Sequence, residues 1–176
     1  SRHTVEAANL LTPDALSVYI GIPFCPTHCA YCSFVSQSIE RFGEYLPEYL
    51  TCLLQEIRHT GRLLKDSGFH IRTLYMGGGT PTTLSSEQMQ QLLAAIADSF
   101  DLSRCLEFTV EGGRPDTLDE RKLRVIKEGG ATRISINPQT MSDQVLAAVG
   151  RRHTAKQTIT AFEQAVRAGF DDINMD

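Results

Sequence analysis

The sequence has no excess of positive charge, no long apolar run and no signal-peptide pattern, and each absence removes a class of function. The net charge is −4 at pH 7, so nothing in the composition favours nucleic acid or an anionic membrane surface as a partner. The apolar runs are too short to span a bilayer, and the opening Ser-Arg-His-Thr does not resemble a secretory signal. The 176 residues, 41% of them hydrophobic, suffice for one sizeable core.

The sequence also lacks the cysteine pattern of a disulfide scaffold. Three of its five cysteines, Cys25, Cys29 and Cys32, fall in the stretch CPTHCAYC, whereas Cys52 and Cys105 lie far away. A secreted disulfide-rich domain is usually shorter, with cysteines spread along the chain. We therefore expect a reducing, cytoplasmic environment in which the three clustered cysteines bind a metal. Cys52 and Cys105 are expected to be core or partly buried thiols.

Short β-branched or aromatic segments alternate with longer helical patterns. Strands are predicted at residues 17–22, 73–76, 106–110, 132–136 and 172–175. Helices are predicted at residues 45–65, 85–100, 117–128, 142–149 and 155–168. This alternation predicts an α/β fold with a parallel sheet and right-handed crossovers. The sequence does not begin with Met and stops as a strand ends, so we expect both ends to be cut.

Each chemically distinctive group directly follows a predicted strand. The cysteines follow the first strand, the glycine-rich residues 77–81 the second, Glu111 the third and Asn137 with Gln139 the fourth, while Asp176 ends the fifth. An open doubly wound sheet binds its ligand at one switch point, whereas a (β/α) barrel builds its site from the ends of successive strands. The pattern favours part of a barrel.

The cysteine spacing C-x3-C-x2-C supplies three thiolates and no obvious fourth ligand. A structural zinc site needs four ligands, and His28 beside Cys29 would strain a tetrahedral arrangement. Iron–sulfur clusters are held by thiolates, and three cysteines on a [4Fe–4S] cluster leave one iron open. An open position is typical of a catalytic metal site, so the cluster is favoured over zinc.

The stretch MGGGTP at residues 76–81 is neither a dinucleotide fingerprint nor a phosphate-binding loop. Thr82 occupies the position of the last fingerprint glycine, and no Gly-Lys-Ser/Thr follows. The glycines allow the backbone to approach a ligand closely. Downstream, Glu111 is followed by two glycines that open space around a hydrogen-bond acceptor, and Arg151 could clamp a carboxylate.

Together these stretches resemble the radical S-adenosylmethionine (SAM) superfamily and, within it, the oxygen-independent coproporphyrinogen III dehydrogenase family. The segments YIGIPFCPTHCAYCSF, GGGTPTTL, FTVEGGRPD, RISINPQTM, GRRHT and INMD run in that family's order, and VEGGRPD and SINPQTM look closest to its HemZ-type subgroup. The resemblance implies about four and a half βα units of a TIM-like (β/α)6 barrel. Residues 1–16 would form an N-terminal flank. Residues 17–176 would form the N-terminal part of the core domain, truncated at the fifth strand.

The resemblance also implies a role for each matching residue. Cys25, Cys29 and Cys32 would hold the [4Fe–4S] cluster. The remaining residues would bind S-adenosylmethionine: Tyr19, Tyr31, Gly78, Gly79, Thr80, Glu111, Gln139, Arg151 and Asp176. His28 and His153 are left without a role.

The activity implied by the resemblance is oxidative decarboxylation of coproporphyrinogen III to protoporphyrinogen IX in haem synthesis without oxygen. It requires a tetrapyrrole substrate and an external electron donor. Arg114 and Arg152 are candidates to meet the substrate's carboxylates. Three alternatives remain: a haem chaperone with the same core, a radical SAM enzyme acting on another tetrapyrrole, and a zinc-binding module. The sequence does not indicate an oligomeric state.

Overall fold

The computed structural model describes residues 12–34 and 36–176, so most of the predicted flank, residues 1–16, lies outside the described residues. The five major strands are β1 (Ala15–Ile22), β4 (His70–Gly78), β5 (Glu107–Gly113), β6 (Arg133–Ile136) and β7 (Asp172–Met175). A short pair, β2 (Phe24–Cys25) and β3 (Gln37–Ser38), follows β1. The helices are α1 (Ile39–Phe42), α2 (Leu46–Lys65), α3 (Ser86–Ser99), α4 (Glu120–Glu128), α5 (Asp143–Ala148) and α6 (Ala155–Arg167).

The major strands form one parallel sheet in the order β1-β4-β5-β6-β7. Each major strand therefore lies beside the next one along the chain, as in a (β/α) barrel, and the order does not reverse as it does in a doubly wound sheet. The barrel-type architecture predicted from the positions of the chemical groups is thus supported by the strand order.

The hydrophobic core lies on the face of the sheet that the helices cover. Alternate strand residues point to this face, and the helices add their apolar stripes. The strand members are at most 4% exposed: Ile20, Ile22, Leu74, Met76, Phe108, Val110, Ile134 and Ile136. The helical members include Leu50, Ile57, Leu92, Leu93, Ile96, Leu123 and Ile126.

Side-chain caps explain where the principal helices begin. Ser85 accepts a hydrogen bond from the Gln88 backbone at the start of α3, and Thr154 does the same for Gln157 at α6, each forming a capping box. Asp119 caps α4, which therefore begins at Glu120 and not at residue 117 as predicted, because residues 115–117 form a separate 3-10 turn.

Cys52 is exposed, so the expectation that it is a core or partly buried thiol is wrong. The buried stripe of α2 runs through Leu46, Leu50, Leu53 and Ile57, and position 52 falls off that stripe. Cys105 is partly buried, as expected, and its thiol donates to the Glu107 carbonyl at 3.3 Å. Across the part of the chain that is described, no helix is both long and apolar enough to cross a membrane.

Candidate functional site at the carboxyl ends of the strands

One pocket at the carboxyl ends of the strands brings together ten of the twelve predicted site residues. They are Cys25, Cys29, Tyr31, Cys32, Gly78, Gly79, Thr80, Glu111, Gln139 and Arg151. Tyr19 and Asp176 do not line this pocket. The pocket also contains residues to which the sequence assigned no cofactor role, among them Thr27, Phe34, Arg114 and Asn137. His28 lines it as well and is exposed.

One backbone hydrogen bond within the cysteine loop and one to another part of the chain hold the loop in place. The Ala30 amide donates to the Val149 carbonyl at 3.1 Å, joining the loop to the end of α5. The Cys32 amide donates to the Cys29 carbonyl at 3.0 Å. Cys29 is buried, whereas Cys25 and Cys32 are partly exposed, and all three are free thiols. The loop therefore presents three unpaired sulfur ligands to one pocket.

The glycine-rich stretch brings β4 close to the cysteine loop. The Gly79 amide donates to the Ile22 carbonyl at 2.9 Å and the Thr80 amide to the Phe24 carbonyl at 2.8 Å. A Cβ added at Gly79 would lie 2.7 Å from the Phe24 oxygen and 2.9 Å from Cys25 Sγ. Gly78 adopts a φ of +117°, a region that favours glycine. The backbone geometry itself therefore requires glycine at positions 78 and 79, whether or not a ligand is bound.

The donor set, three free thiols in one pocket, fits an iron–sulfur cluster, because thiolates are the ligands of such clusters. Within residues 12–34 and 36–176, no three His, Cys, Asp or Glu side chains are arranged to hold a single metal ion. In addition, Thr80 Oγ1 donates to Cys25 Sγ at 3.5 Å, and hydrogen bonds to the sulfurs tune such a cluster.

Glu111 projects from β5 over the neighbouring strand. A Cβ added at Gly77 would lie 2.8 Å from Glu111 Oε2, so the carboxylate crosses the backbone of β4 at a residue without a side chain. Burial raises the pKa of Glu111, and the Asp176 carboxylate adds to this, while a Gly78 backbone hydrogen bond and Arg151 oppose it. The site thus holds a half-buried carboxyl ready to accept hydrogen bonds from a polar ligand.

The ends of β6 and β7 position the remaining polar residues. The backbone N–H of Gln139 donates to the Asp176 carbonyl at 3.0 Å. Gln139 has a φ of +66°, which is strained for a residue with a side chain. Arg151 Nη1 donates to the Asn137 carbonyl at 2.6 Å. Asn174 Nδ2 donates to Asp176 Oδ1 at 2.8 Å. The bonds from Gln139 and Asn174 hold Asp176 beside Gln139, which lines the pocket, although Asp176 itself does not line it.

Tyr19 stacks on Tyr75, a residue that sequence reasoning missed. The two rings are parallel to within 7°, with centroids 5.9 Å apart, because Tyr19 and Tyr75 pair in register across β1 and β4. A Cβ on Gly77 would lie 2.6 Å from the Tyr75 ring. The repeated Tyr-x-Gly pattern, at 19–21 and 75–77, is the signal that could have indicated the pair.

The two arginines considered for the substrate lie in different environments. Arg114 is only 2% exposed and donates to the Thr27 carbonyl at 3.2 Å. The Arg152 side chain is 65% exposed and pairs with Glu40 at 2.9 Å. His153, which was left without a role, is buried, and its Nε2 lies 3.2 Å from the Pro138 carbonyl oxygen. Of Arg114 and Arg152, it is Arg152 that a large anionic ligand can reach from outside.

Known proteins resemble this chain over most of its length. A family model described as the Radical SAM superfamily matches residues 19–176. The chain is 43% identical over 164 residues to the "Oxygen-independent coproporphyrinogen-III oxidase-like protein HemZ" of Bacillus subtilis (strain 168), covering 93% of this chain and 33% of that protein. It is 41% identical over 164 residues to "Heme chaperone HemW" of the same organism, covering 91% of this chain and 41% of that one.

The fold also matches a solved structure, that of coproporphyrinogen III oxidase (HemN) from Escherichia coli, described as a radical SAM enzyme. The match covers 100% of this chain and 40% of that one, with a TM-score of 0.82 and 26% identity. The prediction of a partial radical SAM barrel is confirmed. The chain spans between a third and about two fifths of the length of these relatives.

Proposed function

The chain belongs to the radical SAM superfamily, and we propose that it carries the cofactor-binding part of an oxygen-independent coproporphyrinogen III dehydrogenase. The enzyme would decarboxylate two propionate side chains of coproporphyrinogen III to vinyl groups, giving protoporphyrinogen IX for haem synthesis. We expect it to work in the cytoplasm, with an external electron donor. The observation that carries the proposal is the similarity to the HemZ relative, which extends over 93% of this chain. The pocket with three free thiols supports it.

Each group of residues has a task in this proposal. The thiolates of Cys25, Cys29 and Cys32 would hold the [4Fe–4S] cluster. S-adenosylmethionine would be bound by Tyr19, Tyr31, Gly78, Gly79, Thr80, Glu111, Gln139, Arg151 and Asp176. When bound, the cluster and S-adenosylmethionine supply the one-electron chemistry that removes hydrogen from an unreactive carbon. The protein holds and orients these groups and limits access of water.

The geometry supports this division of labour. Gly79 lets the backbone after β4 pass close to Cys25 and the Phe24 carbonyl, and both Gly78 and Gly79 line the pocket that holds the thiols. Arg151 is placed by the Asn137 carbonyl and can meet a carboxylate, while Glu111 can accept hydrogen bonds from an amino or hydroxyl group. Arg152 is the exposed arginine through which a substrate carboxylate could be met.

A haem chaperone is the second candidate, because the chain is nearly as similar to a relative with that name. Such a protein would keep the cysteine site and bind haem without converting coproporphyrinogen III. Both candidates use the part of the fold present here, so the distinction depends on what the full-length protein does with each tetrapyrrole.

The experiment uses the full-length protein, purified and reconstituted with iron and sulfide without oxygen. It is incubated with S-adenosylmethionine, a strong reductant and coproporphyrinogen III, and 5′-deoxyadenosine and porphyrin products are followed by chromatography. The proposal expects both products to rise together in the native protein and to be absent in Cys29→Ser.

A different result would favour the second candidate. If the porphyrinogen is untouched while haem, added alone, binds stoichiometrically by absorbance titration, the dehydrogenase proposal is wrong and the chaperone stands. If the reconstituted protein retains no iron at all, both candidates fail.

A further inference from the structure

Arg114 carries a buried charge that the roles assigned above do not use. It directly follows β5, and its side chain is only 3% exposed. A guanidinium remains ionised in proteins and offers five N–H donors, so burying one is costly unless its donors are paired. Its contacts should therefore show what this charge is for.

The first contact is with the cysteine loop. Arg114 Nη1 donates to both the backbone carbonyl and the hydroxyl oxygen of Thr27, two residues after Cys25. The Thr27 hydroxyl in turn donates to the Gly150 carbonyl at 3.1 Å. One arginine nitrogen thus fixes the middle of the loop between two sulfur ligands and connects it to the residue before Arg151.

The second contact leads to the end of β6. Arg114 Nε lies 3.7 Å from Asp116 Oδ1, and the same oxygen lies 3.9 Å from His153 Nδ1. The other nitrogen of His153, Nε2, lies 3.2 Å from the carbonyl oxygen of Pro138, which precedes the strained Gln139. A row of side chains therefore leads from the cysteine loop to the loop that places Gln139. Arg114 and His153 in this row are buried, and Asp116 between them is partly exposed.

Only one of the three guanidinium nitrogens, Nη1, donates hydrogen bonds among the described residues. Nε and Nη2 are buried and have no hydrogen-bond partner within residues 12–34 and 36–176, and Asp116 lies beyond hydrogen-bond distance. Arg114 lines the same pocket as the three cysteines. Thiolates on a cluster are anionic, so loading the site would place negative charge beside a cation that is already held there.

We propose that Arg114 is a positioning residue for the cysteine loop, which it holds through Thr27, and that it brings a positive charge to the pocket where the anionic cluster would sit. This inference rests on the proposed function, because it concerns the loaded cluster. It makes two predictions of opposite kind. In the cluster-free protein, removing the Arg114 guanidinium should cost little stability, because two of its nitrogens have no hydrogen-bond partner in the described part of the chain. In the cluster-loaded protein, the same change should weaken iron retention.

The test compares Arg114→Met with Arg121→Met in the full-length protein. Arg121 is a matched control, because its side chain is 68% exposed and forms a surface pair with Glu87 at 2.6 Å. Three quantities are measured: the rate of iron release to a chelator, the EPR spectrum of the reduced cluster, and the unfolding temperature of the cluster-free protein. Arg114→Lys tests whether a positive charge alone restores function.

We expect Arg114→Met to release iron about tenfold faster or more, the usual size of such outer contacts to a metal site, and to alter the EPR spectrum. Its cluster-free unfolding temperature should equal or exceed that of Arg121→Met. Arg114→Lys should regain part of the iron retention. If Arg114→Met does not fold, Thr27→Val, which removes the hydroxyl contact, should show the same change in iron release to a smaller extent.

Three results would overturn the inference. They are native iron release in Arg114→Met, a cluster-free unfolding temperature of Arg114→Met below that of Arg121→Met, and, where Thr27→Val has to be used, native iron release in that variant. Failure of the native protein to retain iron would instead remove the proposed function. The two failures are therefore distinguishable in the same set of samples.

Discussion

The two faces of the sheet are built from different chemistry although they share the same strands. On the face that the helices cover, Leu74 and Met76 are at most 1% exposed. On the opposite face, Tyr19 and Tyr75 remain 61% and 38% exposed. Strand residues alternate between faces, so neighbours in sequence serve different purposes.

The difference separates stability from chemistry. The covered face buries apolar side chains and so supplies the hydrophobic free energy of the fold. The bare face carries Glu111 and the stacked tyrosines, and its carboxyl end continues into the cysteine loop and Arg151. A substitution on the bare face should change cofactor binding with little loss of stability, and a substitution on the covered face should do the reverse.

The largest effect is expected at the cysteines. Cys29→Ser should abolish retention of iron after anaerobic reconstitution, because a hydroxyl does not replace a thiolate ligand on an iron–sulfur cluster. Cys52→Ser is the control, since Cys52 is exposed on α2 and lies outside the pocket. Iron is measured by colorimetric assay in both variants. Equal iron content would contradict the assignment of the loop.

The next effect distinguishes two glycines of the same stretch. Gly79→Ala would press its methyl group on the Phe24 carbonyl and Cys25 Sγ, so most of the iron should be lost. Gly77→Ala would meet the Tyr75 ring and the end of the Glu111 side chain, which can move, so iron should remain while affinity for S-adenosylmethionine falls. Iron assay and equilibrium binding measure the two. Normal iron in Gly79→Ala would show that the close approach is unimportant.

The two faces can be compared directly at neighbouring positions of β4. Met76→Ala removes a fully buried side chain, so the free energy of unfolding should fall by about 2–5 kcal/mol. Tyr75→Ala, on the bare face, should cost only about 1 kcal/mol, mostly from the stack with Tyr19. Urea denaturation of the full-length variants gives both values. A larger loss for Tyr75→Ala would break the division between the faces.

The smallest effect concerns pH and Glu111. Its pKa is raised in the fold, chiefly by burial, so the unfolded chain loses this proton first as pH rises. Stability from this group is present below the ordinary carboxyl pKa and is lost as pH rises through the raised one. Glu111→Gln, which cannot ionise, should therefore be slightly more stable than the native protein near neutral pH and equal to it near pH ~4.

Denaturation at both pH values checks this, and binding of S-adenosylmethionine to the reconstituted variant should be weaker. A variant less stable than the native protein at neutral pH would show that Glu111 supports the fold instead. The division between the two faces would then fail at Glu111, a half-buried residue of the bare face.

The sequence was informative wherever a pattern is local. The five major strands and the five longer helices were predicted with ends correct to within three residues, because periodicity and helix caps act over a few neighbouring residues. The β2–β3 pair was missed, since two-residue strands have no periodicity to detect. Cys52 was misplaced because its burial depends on which helix face is covered.

The residues of the candidate site could be predicted from the sequence, but the side-chain contacts between distant segments could not. Spacing and order identified the cysteine motif, the glycine-rich stretch and the polar residues at strand ends, and the fold gathered ten of the twelve in one pocket. The stack of Tyr75 on Tyr19 and the burial of Arg114 beneath Thr27 were not predictable. Each joins residues more than fifty positions apart.

The sequence by itself determined the order of strands and helices, the three thiolates and the membership of the family. Only the tertiary structure decided which face each strand residue occupies and which arginine is buried. It also decided at which glycines a side chain would collide with a neighbouring backbone. The physical reason is that these properties depend on strand register and on packing between distant segments, and a one-residue shift in register would exchange the two faces.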